Sequence, residues 1–249
     1  MLIDWINPLI AHQIFEALGI LVGFYLYRWR VNSIEKIHLF HTNRIWIVIG
    51  CLIGAGIGNK LVYWFAHANL WQQLANNPLL ILQGQSIVGG LIGGWVGIEI
   101  VKKIIRHSQS TGDLMVVPIG IGLIIGRIGC FLAGLEDETY GLPTQLFWGV
   151  DFGDGIARHP TQIYEILFVV VLLFSITIYK RRINSIAGFQ FNLFFMAYLL
   201  WRFFVDFIKP VPYAFEFGWS GIQWVCAATG LIYFPILIKN YNKRFIRNA

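Results

Sequence analysis

The sequence predicts an all-α integral membrane protein of about seven transmembrane helices, with its N-terminus outside and its C-terminus in the cytoplasm. Three observations carry this. Of 249 residues, 57% are hydrophobic and only 13% are charged, where ordinary soluble domains carry about 25% charge. So little charge cannot cover a soluble surface, and the soluble, disordered and collagen-like classes fall away. The apolar residues also run in unbroken stretches, without the alternation of a β-barrel strand. Finally, the basic residues collect beside alternate stretches, which sets a direction across the bilayer.

The stretches follow in order. The first, Ile14–Tyr27, is short; it has no basic residue before it and no small-residue cleavage site, so it reads as a membrane helix and not a signal peptide. Ile45–Phe65, Ile87–Ile105, Leu114–Ala133, Ile163–Tyr179, Phe189–Phe207 and Ile222–Ile238 come close to the about 20 residues a bilayer asks for. Between the second and third, Asn69–Pro78 reads as a loop with an interfacial Trp71, or as a short helix lying in the membrane plane. Between the fourth and fifth, an external loop is expected at about 134–160. Its acidic part, Leu135–Ala157, carries Glu136, Asp137, Glu138, Asp151 and Asp154, with Gly141-Leu-Pro-Thr144 as a turn. No repeat or soluble segment interrupts the pattern, so 1–249 reads as a single integral membrane domain. Cys51, Cys130 and Cys226 all fall in apolar stretches and suggest no disulfide framework.

Fourteen of the nineteen Lys and Arg follow the first, third, fifth and seventh stretches: Arg28, Arg30, Lys36 and Arg44, then Lys102, Lys103 and Arg106, then Lys180, Arg181 and Arg182, then Lys239, Lys243, Arg244 and Arg247. Ala66–Gln85 carries none. The positive-inside rule then puts the N-terminus outside. The net charge of +6 belongs to loops beside anionic lipid, and no nucleic acid is needed to explain it.

The other five cations are Lys60, Arg127, Arg158, Arg202 and Lys209, and the arginines Arg127 and Arg202 lie inside apolar stretches. A charge at that depth costs several kcal/mol and is paired or functional. Arg202 has Asp206 one turn away on the same helix face, which would serve as a structural ion pair. The other reading is an anion site near the outer leaflet, because a guanidinium donates two parallel hydrogen bonds to a phosphate. In a membrane that phosphate belongs to a phospholipid headgroup.

At Gly126-Arg-Ile-Gly-Cys-Phe-Leu-Ala-Gly134 the chain resembles the prolipoprotein diacylglyceryl transferases of the bacterial inner membrane, whose hallmark reads G-R-x-G-N-F-x-N-G-E. Gly84-Gln-Ser-Ile-Val-Gly-Gly-Leu-Ile-Gly93 is similar to that family's G-M-S-x-H-G-G-L-x-G. Arg158-His-Pro-Thr-Gln-Ile-Tyr-Glu165 is similar to its R-H-P-S-Q-L-Y-E, and Tyr198-x-x-x-Arg202-x-x-x-Asp206 to its Y-x-x-x-R-x-x-x-E. Ser220-Gly-Ile-Gln223 resembles the segment leading into its last helix. Five segments in one order, over residues 84 to 223, carry the resemblance.

The resemblance implies transfer of a diacylglyceryl group from phosphatidylglycerol to the lipobox cysteine thiol in a prolipoprotein signal segment, with release of glycerol phosphate, in the inner (plasma) membrane. Such a reaction needs donors for the phosphate and a way to form a thiolate. Neither demands a metal; no His/Cys cluster with ligand spacing is present, and no cofactor is expected. Arg127, Tyr198 and Arg202 carry over as catalytic candidates. The family's H-G-G histidine falls on Val88, its asparagines on Cys130 and Ala133, and its glutamate on Leu135, with Glu136 next. His159 is then the remaining histidine in the matched segments and a candidate base; Glu165, or a thiol ionised by the arginines alone, are the alternatives. Ser86, Gly89, Gly90, Gln162, Tyr164, Glu165, Asp206 and Gln223 are the substrate-binding candidates beside Arg127. Gly126 and Gly129 thin the helix around Arg127 so that a headgroup can approach, and Cys130 reads as a small apolar filler. A phospholipid-binding or transport protein of the same fold, and a transferase to a different acceptor, remain the competing functions.

Overall fold

The computed structural model describes residues 7–36, 44–179 and 187–247, and they form a bundle of eight helices. These are α1 (Pro8–Arg30), α2 (Arg44–Ala66), the short α3 (Trp71–Asn76), α4 (Ile87–Ile104), α5 (Gly112–Ala133), α6 (Thr161–Ile178), α7 (Phe189–Val205) and α8 (Gly221–Arg247). Six of them, with their flanking turns, are long and apolar enough to cross a membrane. The helix expected at Ile87–Ile105 is α4, of 18 residues, with Glu99, Lys102 and Lys103 in its last turns. The basic cluster Lys180–Arg182 lies outside the described residues.

The first helix is longer than its apolar run. Asn7 caps it by accepting from the Leu9 amide at 2.9 Å, and Pro8 fills a position where no amide is wanted. The chain continues past Arg30 as a π-helical turn, Val31–Glu35, and stops at Lys36 with φ 55°. Asn69–Pro78 contains one helical turn, α3, held by the Trp71 Nε1 donation to the Trp64 carbonyl at 2.7 Å.

Two helix pairs form the sides of the bundle. Along α2, Gly50, Gly54 and Gly58 face Gly97, Gly93 and Gly89 of the antiparallel α4, and a Cβ on any of them would strike the opposing backbone. This four-residue spacing of glycines lets two backbones touch where lipid offers no hydrophobic drive to associate. The α1–α5 pair uses the same device once: a Cβ on Gly19 would stand 2.7 Å from the Gly122 carbonyl oxygen. The centre belongs to α7, half of whose span is buried against 11% of α1's. Phe191, Phe194, Phe195, Tyr198 and Leu199 pack there with Val88, Val116, Val169 and Tyr233. Outward, Leu18 and Leu21, Ile53 and Leu61, and Val171 and Phe174 are exposed, as lipid-facing positions should be.

The loop between α5 and α6 corrects one expectation. Gly141–Thr144 is extended, not a turn: Gly141 and Thr144 amides donate to the His159 and Ala157 carbonyls, and the Leu142 amide to that of Ile208. These bonds tie it to the β1–β2 hairpin (Val150–Asp151 with Ala157–Arg158) and to the end of α7. Two of the five singular cations are structural here. Arg158 binds both oxygens of Asp154 at 2.7 Å, and Lys60 donates to the Leu82 and Gly84 carbonyls at 2.6 Å.

Gly93→Val should part α2 from α4 and lower stability by at least about 1–3 kcal/mol, the usual cost of overpacking. Gly56→Ala, with nothing within 4 Å of the added carbon, should leave the thermal unfolding midpoint in detergent unchanged.

Candidate active site

The two arginines inside apolar helices meet at one carboxylate. Glu165, on the second turn of α6, accepts from the Tyr198 hydroxyl at 2.6 Å through Oε1. Its Oε2 lies 2.9 Å from an Arg127 nitrogen and 3.7 Å from one of Arg202. Arg202 in turn donates to Asp206 Oδ1 at 3.1 Å, and the other Asp206 oxygen accepts from the Ser220 hydroxyl. Gln223 closes that end by accepting from the Ser220 amide at 2.8 Å and donating to the Phe203 carbonyl at 3.2 Å. All are buried. They come from the C-terminal ends of α5 and α7 and the N-terminal ends of α6 and α8, so antiparallel packing gathers them at one end of the bundle.

Buried charge is tolerated only when paired, and these pairs leave a surplus of donors. Arg127 Nε and Arg202 Nε have no hydrogen-bond partner, nor does either amide atom of Gln162, a residue only 1% exposed. Lys209 follows α7 by a few residues. Burial, and then the neighbouring Arg202 and Arg127 charges, push its ammonium down to about 7. Unused guanidinium and amide donors beside a third cation make a site for an anion with several oxygens. A recess lined by Phe65, Phe215, Glu216, Trp224, Val225 and Ala228, its exposed surface apolar, opens one residue beyond Gln223 on α8.

Of the residues singled out from the sequence, Arg127, Tyr198, Arg202, Glu165, Asp206 and Gln223 therefore form one hydrogen-bonded group, with Gln162 one turn before Glu165. Others serve different ends. Ser86 caps α4 by accepting from the Gly89 amide at 3.2 Å, Gly89 belongs to the α2–α4 seam, and Gly90 lies beside Asn59. His159 Nδ1 is 3.2 Å from the Tyr164 hydroxyl, which also takes the Trp148 indole at 2.7 Å. That trio borders the loop and shares no hydrogen bond with the arginines. Gly126 has open space before it, as ligand approach requires, whereas a Cβ on Gly129 would stand 2.5 Å from Phe15.

Cys130 is not the apolar filler expected of it: its sulfur accepts from Arg127 at 3.6 Å. Beside it stand two residues the sequence reading passed over, His12 of α1 and Asp137 of the turn after α5, with His12 Nδ1 2.9 Å from Asp137 Oδ1. No spacing in the sequence could have found this group, because its members lie on separate elements; Lys209 was visible only as a cation that topology does not require.

A family model described as prolipoprotein diacylglyceryl transferase matches residues 7–238. The chain belongs to that family. Relatives carrying the name phosphatidylglycerol–prolipoprotein diacylglyceryl transferase include one from Wolbachia pipientis wMel, 30% identical over 82% of this chain and 80% of that protein. One from Nitratidesulfovibrio vulgaris is 33% identical over 70% of this chain and 66% of its own length. One from Campylobacter jejuni is 27% identical over 95% and 86%. Within this diacylglyceryl transferase, Val88 is 1% exposed and packs in the apolar core, so that position offers no proton acceptor.

A lysine whose affinity for its proton is lowered is charged below about pH 7 and neutral above it. Affinity for a headgroup phosphate should therefore fall by about tenfold as pH rises through that value, the lower end of what a charged hydrogen bond contributes. Binding of a fluorescent phosphatidylglycerol across pH 6 to 8 measures this, and Lys209→Met should bind weakly at every pH.

Proposed function

We propose that the chain transfers the diacylglyceryl group of phosphatidylglycerol to the lipobox cysteine thiol of a prolipoprotein, and does so at the buried arginine cluster. The observation that carries this is the pair Arg127 and Arg202, each with an unused Nε donor, at the same end of the bundle. The two guanidinium groups grip the phosphate that joins glycerol to diacylglycerol. The acceptor sulfur attacks the diacylglycerol carbon bonded to the phosphate oxygen; the C–S bond forms, the C–O bond breaks, and glycerol phosphate carries away the electron pair. Charge grows on that oxygen in the transition state, where fixed donors are most effective.

Glu165 holds the two arginines close before the lipid arrives, and the Tyr198 hydroxyl fixes its other oxygen. With both oxygens engaged, Glu165 is a poor base and a good orienting group. Asp206, with Ser220 and Gln223, does the same for Arg202, and Gln162 has free amide atoms for the glycerol hydroxyls. The recess beside Gln223 suits an acyl chain.

The topology assigned to this reading has seven spans, α4 included, in a single domain in the bacterial inner membrane, with the site toward the outer leaflet. The fourteen basic residues on the other side support it. A tag placed at 136–154 should be reachable from outside intact cells, and a reporter after Ala249 should read cytoplasmic; an inaccessible loop tag overturns the orientation.

Purified protein given labelled phosphatidylglycerol and a lipobox peptide should label the peptide. A binding or transport protein of this fold would retain the lipid and leave the peptide unlabelled. In the same assay Arg127→Lys should lose about ten- to a hundredfold in rate, because a point charge cannot reproduce a two-pronged contact. Full turnover in that variant would make Arg127 purely structural.

A further inference from the structure

Among the described residues, the proposed steps leave unused a polar group that adjoins the arginine cluster. A ring nitrogen of His12, the Cys130 sulfur and an Asp137 oxygen all lie within 4.8 Å of one another. Asp137 is nearly buried; its Oδ1 stands 2.9 Å from His12 Nδ1 and its Oδ2 accepts from the Thr139 hydroxyl. On the other side of the ring, Nε2 is 3.8 Å from Glu16, a more exposed carboxylate that Gln85 also reaches. Cys130 joins this group to the arginine cluster through Arg127 at 3.6 Å. The charged or titratable groups facing the imidazole are thus Asp137, Glu16 and Cys130, with Arg127 behind the sulfur.

Three chemistries could use such an arrangement. A metal ion would accept these ligand types, yet it would have to separate His12 from Asp137 and sit beside the guanidinium already on the sulfur. A covalent intermediate on Cys130 is a dead end: attack on the lipid would leave a thioether, and a second thiol has no leaving group to expel from it. The third is proton transfer. A carboxylate on one ring nitrogen holds the imidazole in a single tautomer and steadies the cation that forms when the other nitrogen takes a proton.

We propose that His12, oriented by Asp137, is the base that removes the proton from the acceptor thiol. The proton passes to Nε2 as sulfur closes on the diacylglycerol carbon, the phosphate oxygen leaves with its electron pair, and the imidazolium returns the proton to the departing phosphate or to water. His12 is a catalytic residue in this scheme and Asp137 a positioning residue. Nε2 lies on the partly exposed Glu16 side of α1, 3.8 Å from that carboxylate, while the lipid phosphate is held on the Arg127 side. The scheme rests on the transfer reaction proposed above.

The experiment measures transfer of labelled diacylglyceryl to a lipobox peptide between pH 6 and 10. Wild-type protein is scored first: if its peptide stays unlabelled, the transfer reading fails, whatever His12 does. Given wild-type transfer, His12→Gln should lose about a hundredfold or more in turnover at pH 7, the usual share of a general base, with its KM for phosphatidylglycerol within about twofold. The deficit should shrink as pH rises past the acceptor thiol's own ionisation at about 8.5, and added imidazole should restore turnover in His12→Gly. Asp137→Asn should lose about tenfold, and Asp137→Glu should recover most of it. His107→Gln, at the opposite end of the bundle, should keep wild-type rates. The proposal is overturned by an equal loss at every pH, by a loss that lies wholly in KM, by unreduced turnover, or by a diacylglyceryl adduct on Cys130. Activity abolished by a chelator and restored by zinc would overturn it in favour of a metal site.

Discussion

Two permanent positive charges inside a membrane bundle must be paired, and much of this fold follows from that requirement. Arg127 and Arg202 sit on different helices, and among the described residues Glu165, on a third, is the carboxylate paired with both. Removing one member of a buried ion pair typically costs about 3–5 kcal/mol, so the ends of α5, α6 and α7 are locked together by charge as firmly as by packing. Each guanidinium carries five N–H donors, more than Glu165 and Asp206 take up, so both Nε donors are left over, and those donors make the site receptive to an anion. Stability and receptivity come from the same imbalance.

Composition and charge distribution were enough to read a helical membrane protein, and the depth of Arg127 and Arg202 in apolar sequence singled out two side chains that the fold brings to one carboxylate. Both arginines, with Tyr198, Asp206 and Gln223, assemble as their order in the chain suggests. Errors arose where hydropathy was asked to locate backbone features. It placed the start of the first helix at Ile14, since the Asn7 cap and Pro8 act through hydrogen bonding and ring geometry, to which hydropathy is blind. It made Gly141–Thr144 a turn because glycine and proline adjoin there, yet partners at 157–159 and 208 draw the segment out straight.

The residues missed share one property: their role depends on neighbours far away in the chain. His12 is an ordinary polar residue at the head of a helix until α1 packs on α5 and brings it to Asp137. Glu165 was named as a candidate, yet nothing local to it showed its three long-range partners, Arg127, Tyr198 and Arg202. Lys60 and Arg158 show the converse. They were named beside Arg127 as cations that topology does not require, and the fold spends them on loop carbonyls and on Asp154.

The glycine seam between α2 and α4 has a mechanical consequence. Sliding of packed helices relies on side chains that can exchange one interlocked arrangement for another. Six glycines in backbone contact supply no such side chains, so this pair has no second arrangement to move to and is stiff in shear. A two-tailed substrate must still pass between helices to reach its phosphate grip. The compliance for that passage has to come from interfaces built of large, rotatable side chains, and the recess where Phe65, near the end of α2, faces Phe215 before α8 and Trp224 on it is of this kind. The stiff pair then serves as the fixed jamb of the doorway, and the aromatic recess as the side that yields.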